Sequence, residues 1–162
     1  MSKLPEKSRP GEVRRQLYDA AFCIVAARFN ASIVDELVAG ARKALLDNGV
    51  AESAIELIHV PGAFELPLAA KRAAQSGRFD GIVALAAIVR GGTPHFDYVS
   101  GESIRGLGQV SLDFSIPVGN GILTVDDMQQ AVDRAGGSEG HKGAEAALAA
   151  VEMVHLFREQ GG

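Results

Sequence analysis

The sequence has 162 residues, which suits one domain with a sizeable core, and its net charge of -4 gives no reason to expect nucleic acid as a partner. No apolar run approaches the roughly 20 residues that span a membrane, and the N-terminal residues lack the apolar core of a signal peptide, so the chain is expected in the cytoplasm. A single cysteine, Cys23, excludes an intrachain disulfide framework and a cysteine-based metal cluster.

Apolar runs separated by helical patterns predict a parallel sheet with helices on its faces. Residues 1–16 are charged and contain prolines, which predicts a flexible or extended arm, and residues 17–160 are expected to form a single domain. The predicted strands are Ala20–Ala27, Ile55–Val60, Ile82–Val89 and Ile116–Thr124. The predicted helices run from Asn30 or Ser32 to Asn48, from Pro61-Gly62 to about Ser76, from Pro94 to about Asp113, from Asp126 to Ala135 and from Lys142 to Glu159. The sequence therefore predicts a three-layer α/β/α sandwich around a four-stranded parallel sheet.

Two of the predicted helices carry patterns that indicate contacts beyond one buried face. In the third helix, Gly101, Gly106 and Gly108 lower helix propensity, so we expect them to allow close packing against another backbone. The last helix is apolar on several sides, with Met153 and Phe157 outside its main stripe. A helix that is apolar almost all round is usually buried, so we expect this one to pack against a second subunit of a homo-oligomer.

The most informative segment is residues 81–98, where an apolar run ends abruptly in Arg90–Pro94 and His95 follows at once. A continuous apolar run bounded by turn residues is typical of a strand buried on both faces. Ligands of open α/β sheets bind just past the carboxyl ends of such strands. The glycine-rich turn and the Thr93 hydroxyl therefore predict an anion site, and His95 is a candidate for proton transfer beside it.

Two further loops and two cations are weaker candidates. Phe29 follows the first strand and could stack on a flat heterocycle, although such an aromatic is more often a cap or core residue. Glu65 follows the second strand at a helix start, where the helix dipole stabilises a carboxylate with or without a ligand. Arg134 and Lys142 flank the start of the last helix and are either further anion ligands or ordinary solvated charges.

Generic catalytic and metal-binding motifs offer no competing site. The segment Gly119-Asn120-Gly121 lacks the later glycine of a dinucleotide fingerprint, and no GxxxxGK[ST] sequence is present. His95, Asp97 and Ser100 are too crowded at one helix start to converge as a hydrolase triad. The four histidines lack ligand spacing, so we expect no bound metal.

Five segments together resemble the lumazine synthase family of riboflavin biosynthesis. They span residues 27–153 in the family's order and spacing: ARFNASIVDEL, VPGAFELPLAAK, GIVALAAIVRGGTPHFDYVS, IPVGNGILTVDDMQQAVDRAG and GHKGAEAALAAVEM. The resemblance implies a flavodoxin-like topology and a transferase with two small-molecule substrates and no cofactor. The implied reaction condenses 5-amino-6-(D-ribitylamino)uracil with 3,4-dihydroxy-2-butanone 4-phosphate to give 6,7-dimethyl-8-ribityllumazine, phosphate and water.

The same resemblance implies a role for each matched residue. The implied pyrimidine and ribityl ligands are Phe29, Asn30, Ala63, Phe64, Glu65, Ile88, Val89, Asn120 and Lys142. The implied phosphate ligands are Gly92, Thr93 and Arg134, and His95 is the implied proton shuttle. Asn120 stands where many members carry a phenylalanine that covers the substrate ring from the neighbouring subunit. Ser138 replaces a lysine found in some members.

The resemblance also implies an assembly, with each site between adjacent subunits of a homopentamer. Asn120, Arg134 and Lys142 would come from the neighbour. A pentamer, a decamer and a sixty-subunit shell all stay open, and association with riboflavin synthase is a further implied partnership. Two other functions stay open as well. One is a module of the same fold that holds lumazine or flavin without turnover, for which the Asn120 change leaves room, and the other is a shell or scaffold subunit. His95 and Arg134 favour the enzyme.

Overall fold

The computed structural model describes residues 16–161 and contains four longer strands, five helices and a short two-stranded ribbon within that range. The predicted arm, residues 1–16, lies outside the described residues apart from its last one. In chain order the elements are β1 (Phe22–Ala27), α1 (Ala31–Asp47), β2 (Ile55–Val60), α2 (Leu66–Gln75), β3 (Gly81–Val89), α3 (His95–Phe114), β4 (Val118–Val125), α4 (Met128–Arg134), β5 (Ala135–Gly137), β6 (Gly140–His141) and α5 (Lys142–Glu159). None of the described helices combines the length and apolar character needed to cross a bilayer.

The four longer strands form one parallel sheet in the order β2-β1-β3-β4, which confirms the predicted fold class. Helices α1 and α5 pack on one face of the sheet, and α2 and α3 pack on the other. Both central strands are almost fully buried, because each faces a helical layer on both sides. The chain leaves β1 toward one edge of the sheet and β3 toward the other, so the topological switch point lies between these two strands.

Two strands begin later than predicted because other hydrogen bonds occupy their first residues. Ala20 donates its amide to the carbonyl of Leu17 in a turn (3.2 Å), and β1 begins only at Phe22. Ile116 donates to the Ser111 carbonyl (3.2 Å) and accepts from the Ser111 hydroxyl (2.7 Å), which ties it to the end of α3. Strand β4 therefore begins at Val118.

The segment between α4 and α5 differs from its prediction. Its paired glycines predict only a break, but residues 135–137 and 140–141 form a small antiparallel ribbon. Gly136 and Gly140 have φ angles of 103° and 89°, which suit glycine far better than other residues. The ribbon ends at His141, whose Nδ1 accepts the Ala144 amide (3.1 Å) and whose Nε2 lies 3.0 Å from the Glu36 carbonyl oxygen. It is thereby fastened to α1 and α5.

The glycine prediction for α3 is wrong at two of its three positions within the subunit. A Cβ on Gly106 would lie 2.7 Å from the Pro67 ring, so this glycine does permit close packing, although against a side chain. A Cβ on Gly101 or Gly108 would meet no atom within 4 Å, because both lie on the outward face of the helix.

Helix α5 is buried on one face only within the subunit, not almost all round. Gly143 lies so close to the Leu37 carbonyl of α1 that no side chain would fit between them. The opposite face leaves Met153 39% and Leu156 40% exposed. Apolar side chains that remain at the surface of one subunit are candidates for contact with another.

Candidate active site

A cleft of about 770 Å³ opens at the carboxyl ends of β1, β2 and β3, beside the switch point. Three loops and the first two turns of α3 form its walls. The lining includes Phe29 and Asn30 after β1, Pro61–Glu65 after β2, Ile88 and Val89 at the end of β3, Gly91 and Thr93 in the glycine-rich turn, and His95, Phe96, Tyr98, Val99 and Glu102 on α3. Most of the residues that the sequence selected from three separate loops thus meet in one place.

The loop after β1 holds Phe29 at the cleft through backbone hydrogen bonds to the neighbouring loop. The Phe29 amide donates to the Pro61 carbonyl (3.2 Å), and the ring is 73% exposed. An aromatic residue of the core would be buried, so Phe29 is not the core residue that an aromatic at such a position more often is. Asn30 adopts a left-handed conformation with φ of 60°.

Asn30, one of the two predicted starts of the first helix, lies at the N-cap of α1, but its side chain makes no capping hydrogen bond. Its Nδ2 instead donates to the Ala87 carbonyl across the cleft floor (2.8 Å). The other predicted start, Ser32, lies inside the helix. The Asn30 side chain therefore links the β1 loop to the end of β3, and its remaining amide oxygen is available to a ligand.

The loop after β2 forms a single tight turn before α2. The Glu65 amide donates to the Gly62 carbonyl (3.2 Å), and Pro67 lies in the first turn of α2, where its missing N–H costs nothing. A Cβ on Gly62 would lie 3.4 Å from a Glu65 carboxylate oxygen, so this carboxylate folds back over the loop. Phe64 is 64% exposed beside it. The turn thus presents one carboxylate and one aromatic ring to the cleft.

Strand β3 extends past its last pairing with β1, which leaves backbone groups at the cleft. The β1 pairing ends at Leu85, and the Ala87 carbonyl beyond it is bound by Asn30. Arg90 donates its amide to Val125 on the opposite side (2.8 Å). Because backbone groups alternate in direction along a strand, those of Val89 face the cleft side with Ala87, and those of Ile88 face β4.

The glycine-rich turn leads directly into α3. A Cβ at Gly91 or Gly92 would have no atom within 4 Å, and residues 91–95 are exposed. Pro94 occupies the N-cap and makes no side-chain capping bond, so no capping side chain covers the backbone amides in the first turn of α3. Thr93 and His95 line the cleft, and Gly92 lies between lining residues 91 and 93.

Three predicted ligands do not line the cleft of their own subunit. Asn120 lies in the middle of β4, paired with Ala84, and its Oδ1 accepts the Ile122 amide (3.1 Å). Arg134 ends α4 and donates to the Gln130 carbonyl (3.1 Å). Lys142 begins α5. None of the three belongs to the walls formed by the β1, β2 and β3 loops.

Sequence reasoning missed part of the α3 wall. Tyr98, Val99 and Glu102 line the cleft, and Tyr98 is 71% exposed. They follow His95 at positions i+3, i+4 and i+7, which share one face of a helix. That spacing was available in the sequence and would have found them once His95 was placed at the helix start.

Neither the single cysteine nor any cluster of metal-ligating side chains among residues 16–161 adds a reactive group to the cleft. Cys23 is fully buried, and desolvation, with a smaller contribution from Glu56, raises the pKa of its thiol to about 12, so it is not a nucleophile at neutral pH. Among residues 16–161, no group of His, Cys, Asp and Glu side chains is arranged to hold a metal ion.

Known proteins match the chain over nearly all of the domain. The family model of 6,7-dimethyl-8-ribityllumazine synthase matches residues 19–158. The chain belongs to this family. A family member from Halorhodospira halophila, named 6,7-dimethyl-8-ribityllumazine synthase, is 52% identical over 143 residues, which cover 88% of this chain and 92% of the relative. The match to the lumazine synthase family includes all three loops of the cleft and the helices that carry Arg134 and Lys142.

Proposed function

We propose that this chain condenses 5-amino-6-(D-ribitylamino)uracil with 3,4-dihydroxy-2-butanone 4-phosphate to form 6,7-dimethyl-8-ribityllumazine, phosphate and water. Membership in the lumazine synthase family over residues 19–158 is the observation that carries this conclusion. It makes the chain a transferase of riboflavin biosynthesis, for which we propose a cytoplasmic location. The cleft at the switch point is large enough for two small substrates and is lined by residues suited to both.

The proposed pyrimidine subsite lies between the β1 loop and the end of β3. The exposed Phe29 ring offers a flat face for stacking, and the backbone of Val89 offers a donor and an acceptor to the ring edge. Ile88 also lines the cleft, but its backbone groups face β4, so they do not support the predicted contact with the ring edge. Asn30 adds an amide oxygen. The ribityl chain would extend toward Ala63, Phe64 and Glu65, where the carboxylate accepts hydrogen bonds from hydroxyl groups.

The proposed phosphate subsite is the turn before α3. The backbone amides of Gly92 and Thr93 directly precede the N-cap Pro94 and, together with the Thr93 hydroxyl, suit an anion. His95 adjoins this turn and lines the same cleft as Phe29 and Val89 of the proposed pyrimidine subsite. This position supports a role in moving protons between the two reacting molecules.

The chemistry moves protons and no net electrons, so it requires neither a redox cofactor nor a metal. The pyrimidine amine attacks the ketone and forms an imine with loss of one water, phosphate is eliminated, the side chain turns, and ring closure releases a second water. Holding the two substrates side by side accounts for much of the expected acceleration. Protein groups that donate hydrogen bonds to the phosphate stabilise the negative charge that it carries away when it leaves.

We further propose that a neighbouring subunit of a homopentamer completes the site with Asn120, Arg134 and Lys142. Within one subunit these residues lie outside the cleft walls, and each is at least partly accessible to a neighbour. Large apolar side chains remain exposed near the cleft and along the outer helices, among them Leu68 at 69% and Leu112 at 79%. Their burial against a second copy would favour assembly. Sedimentation would distinguish pentamers, decamers and larger shells, and would also reveal a complex with riboflavin synthase.

A module that only holds lumazine or flavin is the competing function, and Asn120 is the observation that favours it. An asparagine cannot supply the aromatic cover that a phenylalanine would give to the bound ring. Incubation with both substrates separates the two functions. The enzyme forms a fluorescent lumazine, whereas the binding module takes up added lumazine but forms none at micromolar protein. The second result would refute the proposed reaction.

A further inference from the structure

Arg90 is the last residue before the glycine-rich turn, and its side chain contacts residues on the far side of that turn. Its guanidinium carbon lies 4.5 Å from the centroid of the Phe96 ring, which also lines the cleft. Its Nη1 lies 3.8 Å from the Asp97 carboxylate in the first turn of α3. These two residues directly follow His95 in the sequence.

A second set of contacts fixes Arg90 itself to β4. Its amide donates to the Val125 carbonyl (2.8 Å), and its Nε donates to an Asp126 carboxylate oxygen (2.9 Å). The planar guanidinium can satisfy two carboxylates and lie against a ring at once, which a lysine ammonium cannot do as well. Arg90 thus connects the end of β4 to the first turn of α3.

The turn between Arg90 and His95 has little support of its own. The two glycines have no Cβ, and Cβ atoms built on them would touch nothing within 4 Å. Pro94 at the N-cap makes no side-chain bond to the helix. The path of residues 91–94 is therefore determined mainly by the residues at its two ends. Arg90 forms one end, and its side chain contacts Phe96 and Asp97 at the other.

We infer that Arg90 is a positioning residue that holds the glycine-rich turn and His95 in register through its contacts with Phe96, Asp97 and Asp126. This inference rests on the proposed function, since it concerns the turn assigned to phosphate. Arg90 is not among the residues that line the cleft, so it acts through the residues that do.

The expected consequence of losing Arg90 is a misplaced phosphate subsite. A displacement of about 1 Å in a catalytic group can slow a reaction about 100-fold. We expect Arg90→Ala to lower kcat and raise KM for the phosphorylated ketone, each by about 10-fold, since the backbone bond to Val125 remains. KM for the pyrimidine should change by less than about 3-fold, because Phe29 and the end of β3 keep their supports.

Arg78 provides a matched control at the other end of β3. Its guanidinium carbon lies 4.7 Å from the centroid of the Phe79 ring, and its Nη1 contacts a Glu56 carboxylate oxygen at 2.9 Å. From Gly81, where β3 begins, to Ala86, the first residue of this strand that lines the cleft, the chain rises by roughly 17 Å. Arg78→Ala also removes one ring contact and one carboxylate contact, so it measures the loss of stability and activity that such contacts cause away from the cleft.

The test compares steady-state kinetics and melting temperature for wild type, Arg90→Ala, Arg90→Lys and Arg78→Ala. The inference predicts a selective effect on kcat and on the ketone KM for Arg90→Ala, partial rescue by Arg90→Lys, and near wild-type kinetics for Arg78→Ala. If Arg90→Ala does not fold, Asp126→Ala removes only the 2.9 Å bond and should show the same selectivity in weaker form.

Two results would overturn the inference, and a third concerns the reaction itself. Equal kinetics for Arg90→Ala and Arg78→Ala would exclude a positioning role, as would an equal rise in both KM values. A wild-type protein that forms no lumazine would instead refute the proposed function, and the role of Arg90 with it.

Discussion

Replacing Phe29 with alanine should weaken binding of the pyrimidine substrate while changing the stability of the fold very little. The ring is 73% exposed, so about a quarter of it is buried within the subunit. Full burial of a phenylalanine contributes about 1.5–3 kcal/mol, so Phe29→Ala should cost only about 0.4–0.8 kcal/mol of stability. Stacking of a heterocycle on an aromatic side chain contributes about 1–3 kcal/mol, which corresponds to about 5-fold to 150-fold in affinity.

The assay measures KM for each substrate and the melting temperature of the protein. KM for the pyrimidine should rise within that range, KM for the phosphorylated ketone should change little, and the melting temperature should fall by no more than about 3 °C. Tyr18→Ala is the control, because Tyr18 is 75% exposed and lies outside the cleft. An unchanged pyrimidine KM in Phe29→Ala, or an equal rise in Tyr18→Ala, would refute stacking by Phe29.

The remaining predictions concern a cation, the histidine and an ion pair. Arg134→Ala should raise KM for the phosphorylated ketone far more than KM for the pyrimidine, and equal effects in the same assay would remove its proposed role as phosphate clamp. His95→Ala should slow turnover by about 100-fold to 10,000-fold and still leave activity above the uncatalysed rate, because substrate positioning remains, and unchanged turnover would exclude it as proton shuttle. Arg158 donates to Asp19 at 2.6 Å, and this hydrogen bond and charge lower the pKa of the Asp19 carboxyl. A lowered pKa in the folded state contributes stability above the ordinary value that is lost as the pH falls through the folded-state value. The stability difference between wild type and Asp19→Asn should therefore shrink between about pH 7 and pH 3 in denaturant titrations, and a constant difference would show that the pair is not coupled to folding.

The sheet could be predicted because its central strands are buried on both faces. Ile82–Val89 is apolar throughout, since both sides of β3 face helices, and the predicted strand differs from the observed one by a single residue. The four-stranded sandwich followed from alternation of such runs with helices. Strand starts were less predictable because the Ile116 backbone groups bond to Ser111 of the preceding helix, and no local propensity encodes that choice.

The cleft could be located because parallel strands place their following loops at one edge. The loops that carry Phe29, Glu65 and His95 converge there as expected. The destination of the Asn30 side chain could not be predicted, because its partner, the Ala87 carbonyl, is 57 residues away in sequence. The same limit applies to Arg90, whose partner Asp126 is 36 residues away.

Arg134 and Lys142 lie away from the cleft of their own subunit, so the fold of one chain does not explain their predicted role. The sequence pattern placed Arg134 and Lys142 beside the start of the last helix but left open whether they were anion ligands or solvated charges, and the family resemblance alone assigned them to a neighbour's site. The exposed Met153 and Leu156 on α5 are consistent with the predicted contact between subunits, which stays a prediction.

Lumazine formation by mixed assemblies tests most directly the claim that the cleft is completed by a neighbouring subunit. His95→Ala and Arg134→Ala change residues that would meet only across an interface. Refolding or co-expressing the two variants in equal amounts should restore both native residues at about a quarter of the interfaces. The account predicts that the mixture is clearly more active than either variant alone. Activity no higher than the mean of the two variants, in assemblies shown to contain both chains, would contradict it.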